Sequence, residues 1–338
     1  MMDEAKLSRI LKSMEEHDVP QLIMSDPLAI YYLLGKKFAP GERMLVLYLN
    51  VNGNHKLVIN ELFPQDEDLG VELVWYSDIQ DGVEILSQFV EKDKIVGVDK
   101  VWPSKFLLRL QELGAGSKFV NGSLIVDYVR MIKDEHEQEL MRKASLENDK
   151  IMEQLIPLVV KGYTELELNA IVRDMYKKSG HSDVSFDPIT CYGKSGADPH
   201  HVTNDTKGKR GDSVVLDIGG VLDNYCSDMT RTVFIGEVSD RAREVYEIVK
   251  EAQRRGLEAA SQATECVMWT LRAEIILKKK DLASILHTER VILSVWRITN
   301  LAMYLLSMRI LFRLASAFLW NRAFIFRMKR SASVSKTS

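Results

Sequence analysis

The chain has 338 residues, enough for two domains with separate cores, and is 46% hydrophobic and 28% charged with a formal net charge of −3. That balance argues against a nucleic-acid-binding protein and against an acid-rich disordered one. Cys191, Cys226 and Cys266 stand far apart with no Cys-x-x-Cys spacing, which argues against a disulfide framework and a cysteine zinc site.

Met1-Met2-Asp3-Glu4 runs straight into a helical pattern with no apolar leader core, so a cytoplasmic protein is expected. Ala5 to His17 places Leu7, Ile10, Leu11 and Met14 at helical spacing, and Gln21 to Met24 is a short apolar run ending at Ser25-Asp26-Pro27. Met44 to Leu49 and Lys56 to Ile59 flank Asn52-Gly53, which suits a hairpin. Asp81 to Glu91 reads as helix, Ile95 to Val98 as a buried strand and Ser104 to Leu113 as helix, together a small α/β domain with a mixed sheet. Val129 to Val160 reads as one long charged helix. Thr164-Glu165-Leu166-Glu167 is a capping box opening a helix to Lys178. Strands are expected over Ile189 to Tyr192, Ser213 to Ile218 and Asn224 to Phe234, followed by an amphipathic helix from Arg241 to Leu257.

All 19 glycines and all 8 prolines lie at or before Gly256, and no Asp or Glu follows Glu289. Turns depend on Gly, Pro, Asn and Asp for specific backbone reasons, so the composition breaks at this point.

Two aspartates carry the candidate chemistry. Asp217 ends the run Ser213-Val214-Val215-Leu216-Asp217, and Asp228 lies in Tyr225-Cys226-Ser227-Asp228-Met229-Thr230-Arg231-Thr232. If the two segments pair through Val221-Leu222-Asp223, both carboxylates project from one face, where oxygen ligands suit a hard divalent cation or a metal pair. An Asp after a strand can equally cap a turn. Upstream lies Tyr192-Gly193-Lys194-Ser195-Gly196-Ala197-Asp198-Pro199-His200-His201, a Gly-rich loop ending in two histidines.

The order Gly193…Pro199-His200-His201, Arg210-Gly211-Asp212-Ser213-Val214-Val215-Leu216-Asp217-Ile218-Gly219, Asn224 to Thr232 closely resembles the aminopeptidase P and prolidase family. These enzymes belong to the creatinase and methionine-aminopeptidase group. The resemblance covers about residues 1 to 258. It implies a creatinase-type N-terminal α/β domain and an α+β pita-bread catalytic domain, incomplete after about residue 258. The corresponding division is 1–125, 126–258 and an aberrant tail, 259–338. In that family two Asp, one His and two Glu hold two metal ions, usually manganese, cobalt or zinc. By resemblance Asp217 and Asp228 are the two aspartates, and His200 assists substrate binding and stabilises the tetrahedral intermediate. His201 is a second substrate-binding candidate with the weaker claim on spacing. Either histidine can also be an ordinary loop residue with a satisfied hydrogen bond.

The family's Thr-Gly-His, Glu-Pro-Gly and Ile-Glu-Asp segments do not occur after Leu257. Codons compatible with the tail, read two bases displaced, restore them in order. His287 to Ile292 permits His-Arg-Thr-Gly-His. Ser316 to Arg327 permits Cys-Phe-Ser-Leu-Glu-Pro-Gly-Ile-Tyr-Ile-Pro, and Ala332 to Thr337 permits Gly-Val-Arg-Ile-Glu-Asp. Cys266 to Thr270 with its neighbours admits Asp-Val-Asp. A change of frame near Ala259 to Ser261 is therefore expected. The competing reading is a real amphipathic or membrane-associated helix over Val291 to Trp320, but Arg297, Arg309 and Arg313 interrupt any span.

The expectation is a dinuclear metallopeptidase removing a residue before proline or splitting an Xaa-Pro dipeptide, inactive in this chain, with weak or lost metal binding. The alternative is a non-catalytic pseudoenzyme or a binding or dimerising module. The resemblance implies a proline-containing peptide substrate and a homodimer, without nucleic-acid or membrane partners. Without strands from beyond Leu257, the apolar surface around Val214, Val215, Leu216 and Val233 is expected to be partly uncovered.

Overall fold

The computed structural model describes residues 1–198 and 201–261. The readings of the tail beyond them, including the helix at Val291 to Trp320 and the displaced-frame segments, lie outside the described residues. Two compact units are present, Met1–Lys133 and a second beginning at Asp134.

In the first unit, helix α1 (Glu4–Glu16) is capped by Asp3, which accepts from the Lys6 amide, and buries Leu7, Ile10 and Met14 on one stripe. Strand β1 (Gln21–Met24) leads into α2 (Pro27–Leu34), a helix the sequence reading did not anticipate. Its local signals are complete: Asp26 caps it, Pro27 opens it, and Gly35 closes it at φ +66°. Then come β2 (Val46–Asn50), β3 (Lys56–Asn60), β4 (Glu72–Tyr76), α3 (Gly82–Ser87), β5 (Ile95–Val98), α4 (Ser104–Glu112), β6 (Lys118–Asn121) and α5 (Ser123–Met131). The strands form one mixed sheet in the order β4-β3-β2-β1-β5-β6. Alternation along the strands splits the core between its two faces. Leu22, Leu47, Leu49 and Leu57 pack with α1, α2 and α5, while Ile23, Val46, Tyr48 and Val58 pack with α3 and α4.

The expected single helix from Val129 to Val160 is three elements. Helix α5 ends at Met131, Ile132 is extended at φ −91°, ψ 102°, and α6 (Glu135–Leu155) starts afresh. The break has a cause: Asp134 accepts from the Glu137 amide and Glu137 accepts from the Asp134 amide, a capping box that forces a helix start. A 3-10 turn over Ile156–Val160, with Pro157 near its start, ends the run. Helix α7 (Glu165–Lys178) carries the anticipated Thr164–Glu167 box.

Next come β7 (Asp183–Val184), β8 (Ile189–Tyr192), β9 (Ser213–Ile218), β10 (Gly220–Leu222), β11 (Tyr225–Cys226), β12 (Met229–Phe234) and α8 (Asp240–Ser261). They make two three-stranded sheets, β12-β9-β8 and β11-β10-β7. Val214, Leu216, Ile218 and Met229 are buried in a cluster with Ile151, Leu155, Leu168, Val172 and Tyr176, so of the surface expected to be partly uncovered Val214 and Leu216 are covered. Among the described residues, α6 and α7 supply side chains that cover this face of β9. Only Val215, on the opposite face, and Val233 are partly exposed.

Candidate metal and peptide site

Strands β9 and β12 are antiparallel, with Asp217 directly opposite Thr230 and Ile218 opposite Met229. Because residues alternate between faces, Val214, Leu216, Ile218 and Met229 point toward the helices and Val215, Asp217, Thr230 and Thr232 point away. Asp228 lies two residues before Thr230, as a diagonal neighbour of Asp217. Such neighbours stand about 7–8 Å apart at Cα. If the alternation of β12 runs on to Asp228, the two aspartates share one face. Asp217 is only 3% exposed and accepts from Thr230 Oγ1 at 2.8 Å, whereas Asp228 is exposed.

The hairpin turns one residue later than the sequence implied. Val221 and Leu222 are paired strand residues, and the reversal falls at Asp223-Asn224, with φ +49° and +69°. Positive φ at both positions is the twist-matched two-residue turn, which Asp and Asn tolerate. Gly219 joins β9 to β10 where no side chain fits: a Cβ there would lie 2.2 Å from the Ser227 carbonyl oxygen. Ser227 locks the two arms together. Its amide donates to the Gly220 carbonyl at 2.9 Å, and its hydroxyl accepts from the Gly220 amide at 3.0 Å.

Behind this face, Tyr176 of α7 donates its hydroxyl to Asn148 Oδ1 of α6, and Asn148 Nδ2 donates to the Ile218 carbonyl at 3.4 Å. Burial, and then the negative charges of Asp228 and Asp217, push the Tyr176 hydroxyl far above its ordinary range and keep it a donor. His181 packs edge-on against Tyr176, with ring centroids 4.9 Å apart. It is 6% exposed, neither ring nitrogen has a hydrogen-bond partner among the described residues, and burial lowers its pKa.

Of the two candidate histidines, His200 lies outside the described residues. His201 is placed against Glu165, donating from Nε2 to Oε2 at 2.8 Å. Glu165, Cys191 and His201 form a three-residue group whose potential ligand atoms lie within 4.8 Å of one another. The Cys191 thiol is pushed up to about 12, chiefly by burial and then by the charges of Glu165, Asp198 and Asp217.

The creatinase/prolidase N-terminal domain family matches residues 6–132, and metallopeptidase family M24 matches residues 139–289. The Xaa-Pro dipeptidase of Pyrococcus furiosus is 30% identical over 258 residues, which span 75% of this chain and 72% of that protein. The chain belongs to the Xaa-Pro dipeptidase family of M24 metallopeptidases. Solved relatives carry the same fold. A dipeptidase from Pyrococcus horikoshii aligns with a TM-score of 0.75 and 26% identity, covering 82% of this chain and 78% of that one. A prolidase from Thermococcus sibiricus aligns with a TM-score of 0.75 and 27% identity, covering 83% and 78%. The architecture is thus the creatinase-type N-terminal domain followed by pita-bread elements, as the motifs implied. The M24 match runs on to Glu289, past Ala259 to Ser261, where the sequence reading sets the change of frame.

Asp217 and Asp228 are the residues of this hairpin that could hold a metal ion. Two carboxylates on one face are hard oxygen donors of the right kind. Among the described residues no third His, Cys, Asp or Glu clusters with them; the one cluster of three is Glu165, Cys191 and His201. The residues described fit part of a two-metal centre and do not complete one. Also among the described residues, no helix is long and apolar enough to cross a membrane.

Proposed function

We propose that this chain is a catalytically arrested Xaa-Pro peptidase, with the acidic half of the metal site standing and the other half lost. The observation that supports this is the Asp217–Thr230 register, in which Asp228, two residues before Thr230, would share the face of Asp217. No Thr-Gly-His, Glu-Pro-Gly or Ile-Glu-Asp segment follows Leu257 to join them. Peptide hydrolysis by a metal-activated water needs a closed ligand set and a positioned base, and two aspartates supply neither. Manganese, cobalt or zinc would be the ions, and weak binding is the expectation. A peptide with proline in the second position would be the substrate, and His200 would contact it. A homodimer follows from the same resemblance.

The decisive experiment compares Xaa-Pro dipeptide turnover in excess manganese between this chain and one with the frame restored. Activity about a thousandfold or more lower is expected here, the scale on which positioned acid–base and metal catalysis contribute. Comparable turnover would overturn the reading. A second reading, a binding or dimerising module, is favoured by the first unit. Its six-stranded sheet is covered on both faces by its own helices. Under that reading the unit survives alone with a cooperative unfolding transition.

A further inference from the structure

Glu165 is the first residue of α7, and its side chain is fully buried at 0% exposure. A carboxylate at such depth is costly unless hydrogen-bonded, and each of its oxygens is engaged. Oε1 accepts from the Tyr192 amide at 2.9 Å. Oε2 accepts from His201 Nε2 at 2.8 Å and from the Asn204 amide at 3.2 Å. The neighbouring main chain repeats the pattern. The Glu165 amide donates to the Thr206 carbonyl at 3.1 Å, and the Leu166 amide donates to the Asn204 carbonyl at 3.2 Å. The Glu165 carbonyl accepts from Thr190 Oγ1 at 2.8 Å.

Tyr192 is the last residue of β8, just before the Gly193–Ala197 turn, and His201 to Asn204 follow that loop. One carboxylate therefore grips both ends of the Gly-rich loop, at the positive end of a helix, where a negative charge is favoured. We propose that Glu165 and His201 are positioning residues that clamp the base of the 193–200 loop, with His201 serving this anchor in place of the substrate. His200, the expected substrate-contacting histidine, directly precedes His201 in the sequence. The inference rests on the peptidase reading for the loop's purpose, but not for the clamp itself.

A metal at Glu165, Cys191 and His201 is the rival assignment. It is disfavoured because the carboxylate oxygens already hold two main-chain amides and an imidazole, which a cation would have to displace.

Hydrogen exchange on the full chain tests the clamp without requiring turnover. Glu165→Ala should speed exchange of the Tyr192 and Asn204 amides at least tenfold and leave those of β9 and β12 unchanged. It should also shift the His201 ring nitrogen resonance. Leu168→Ala, a core truncation in the same helix, should loosen the unit without singling out this loop. Unchanged exchange at Tyr192 and Asn204 in Glu165→Ala, or a rise no larger than in β9 and β12, would overturn the proposal. So would zinc that slows exchange of the segment in the parent but not in Cys191→Ser. If Glu165→Ala does not fold, His201→Gln serves instead: selective acceleration at Asn204 supports the clamp, and unaltered exchange there overturns it. Manganese binding compared between the parent and Asp217→Asn examines the peptidase reading separately, so the two can fail independently.

Discussion

Thr230 donates its hydroxyl to Asp217 across the β9–β12 pair at 2.8 Å, on the face turned away from the helices. It holds a nearly buried carboxylate in a fixed orientation. Thr230→Val keeps the shape and removes the donor, leaving a buried charge with one fewer partner. The second unit should lose about 1–3 kcal/mol, the range for hydrogen bonds to charged groups. Urea unfolding followed by a probe in β9 or β12 measures it, and a loss under about 0.5 kcal/mol would show that the contact does not stabilise the pair.

Gly219 should not tolerate a methyl group. An added Cβ would meet the Ser227 carbonyl at 2.2 Å and Ser185 Oγ at 2.3 Å, and the first of these is main chain that cannot swing aside. Gly219→Ala should destabilise the second unit by about 1–3 kcal/mol and displace the Asp228 arm. Gly162→Ala is the control, because nothing lies near its added Cβ, although its φ of +82° brings local strain. Amide chemical shifts at Ser227 and Asp228 should move in the first variant only.

The Asn148–Tyr176 pair bridges α6 and α7 behind the site. Asn148→Ala leaves the buried Tyr176 hydroxyl without its acceptor and should cost about 1–3 kcal/mol. Tyr176→Phe made together with Asn148→Ala should cost less than the sum of the single changes. Strict additivity in that double-mutant cycle would deny the coupling.

His181 makes the second unit sensitive to acid. Burial depresses its folded-state pKa below the unfolded value, so the neutral ring is favoured. Its contribution is complete above the unfolded pKa of about 6.5 and is lost as pH falls through the folded value. His181→Leu should flatten the fall in the urea midpoint between pH 7 and pH 5. An equally steep fall in the variant would place the sensitivity elsewhere.

The strand pairing of the acidic hairpin was legible because its signals are local, with Val214 and Leu216 alternating with Val215 and Asp217, but its turn was set too early, at Val221-Leu222-Asp223, and Asn224 was read as strand. Helix α7 was legible from Thr164 and Glu167. Asp134 and Glu137 form the same box, yet the charged run from Arg130 to Glu139 looked continuous and hid the new start. Helix α2 escaped because Ala29, Ile30, Tyr32, Leu33 and Leu34 are all buried, leaving no amphipathic period to read. Glu165 was visible only as the first residue of a capped helix. Its partners at Tyr192, His201 and Asn204 are brought to it by the fold, and no spacing in the chain encodes them. Thr230 was nearer to reach, since Asp228 and Thr230 differ by the strand period.

The β9–β12 hairpin is made from one continuous stretch, Ser213 to Phe234, with its reversal built in. Hairpins close in roughly 1–10 µs, whereas a ribosome adds about 5–20 residues each second. On that clock the hairpin can close as soon as Ser213 to Phe234 has left the ribosome, while the rest of the chain is still being synthesised. The hairpin carries its own pairing and turn, so its formation does not depend on the identity of the residues after α8.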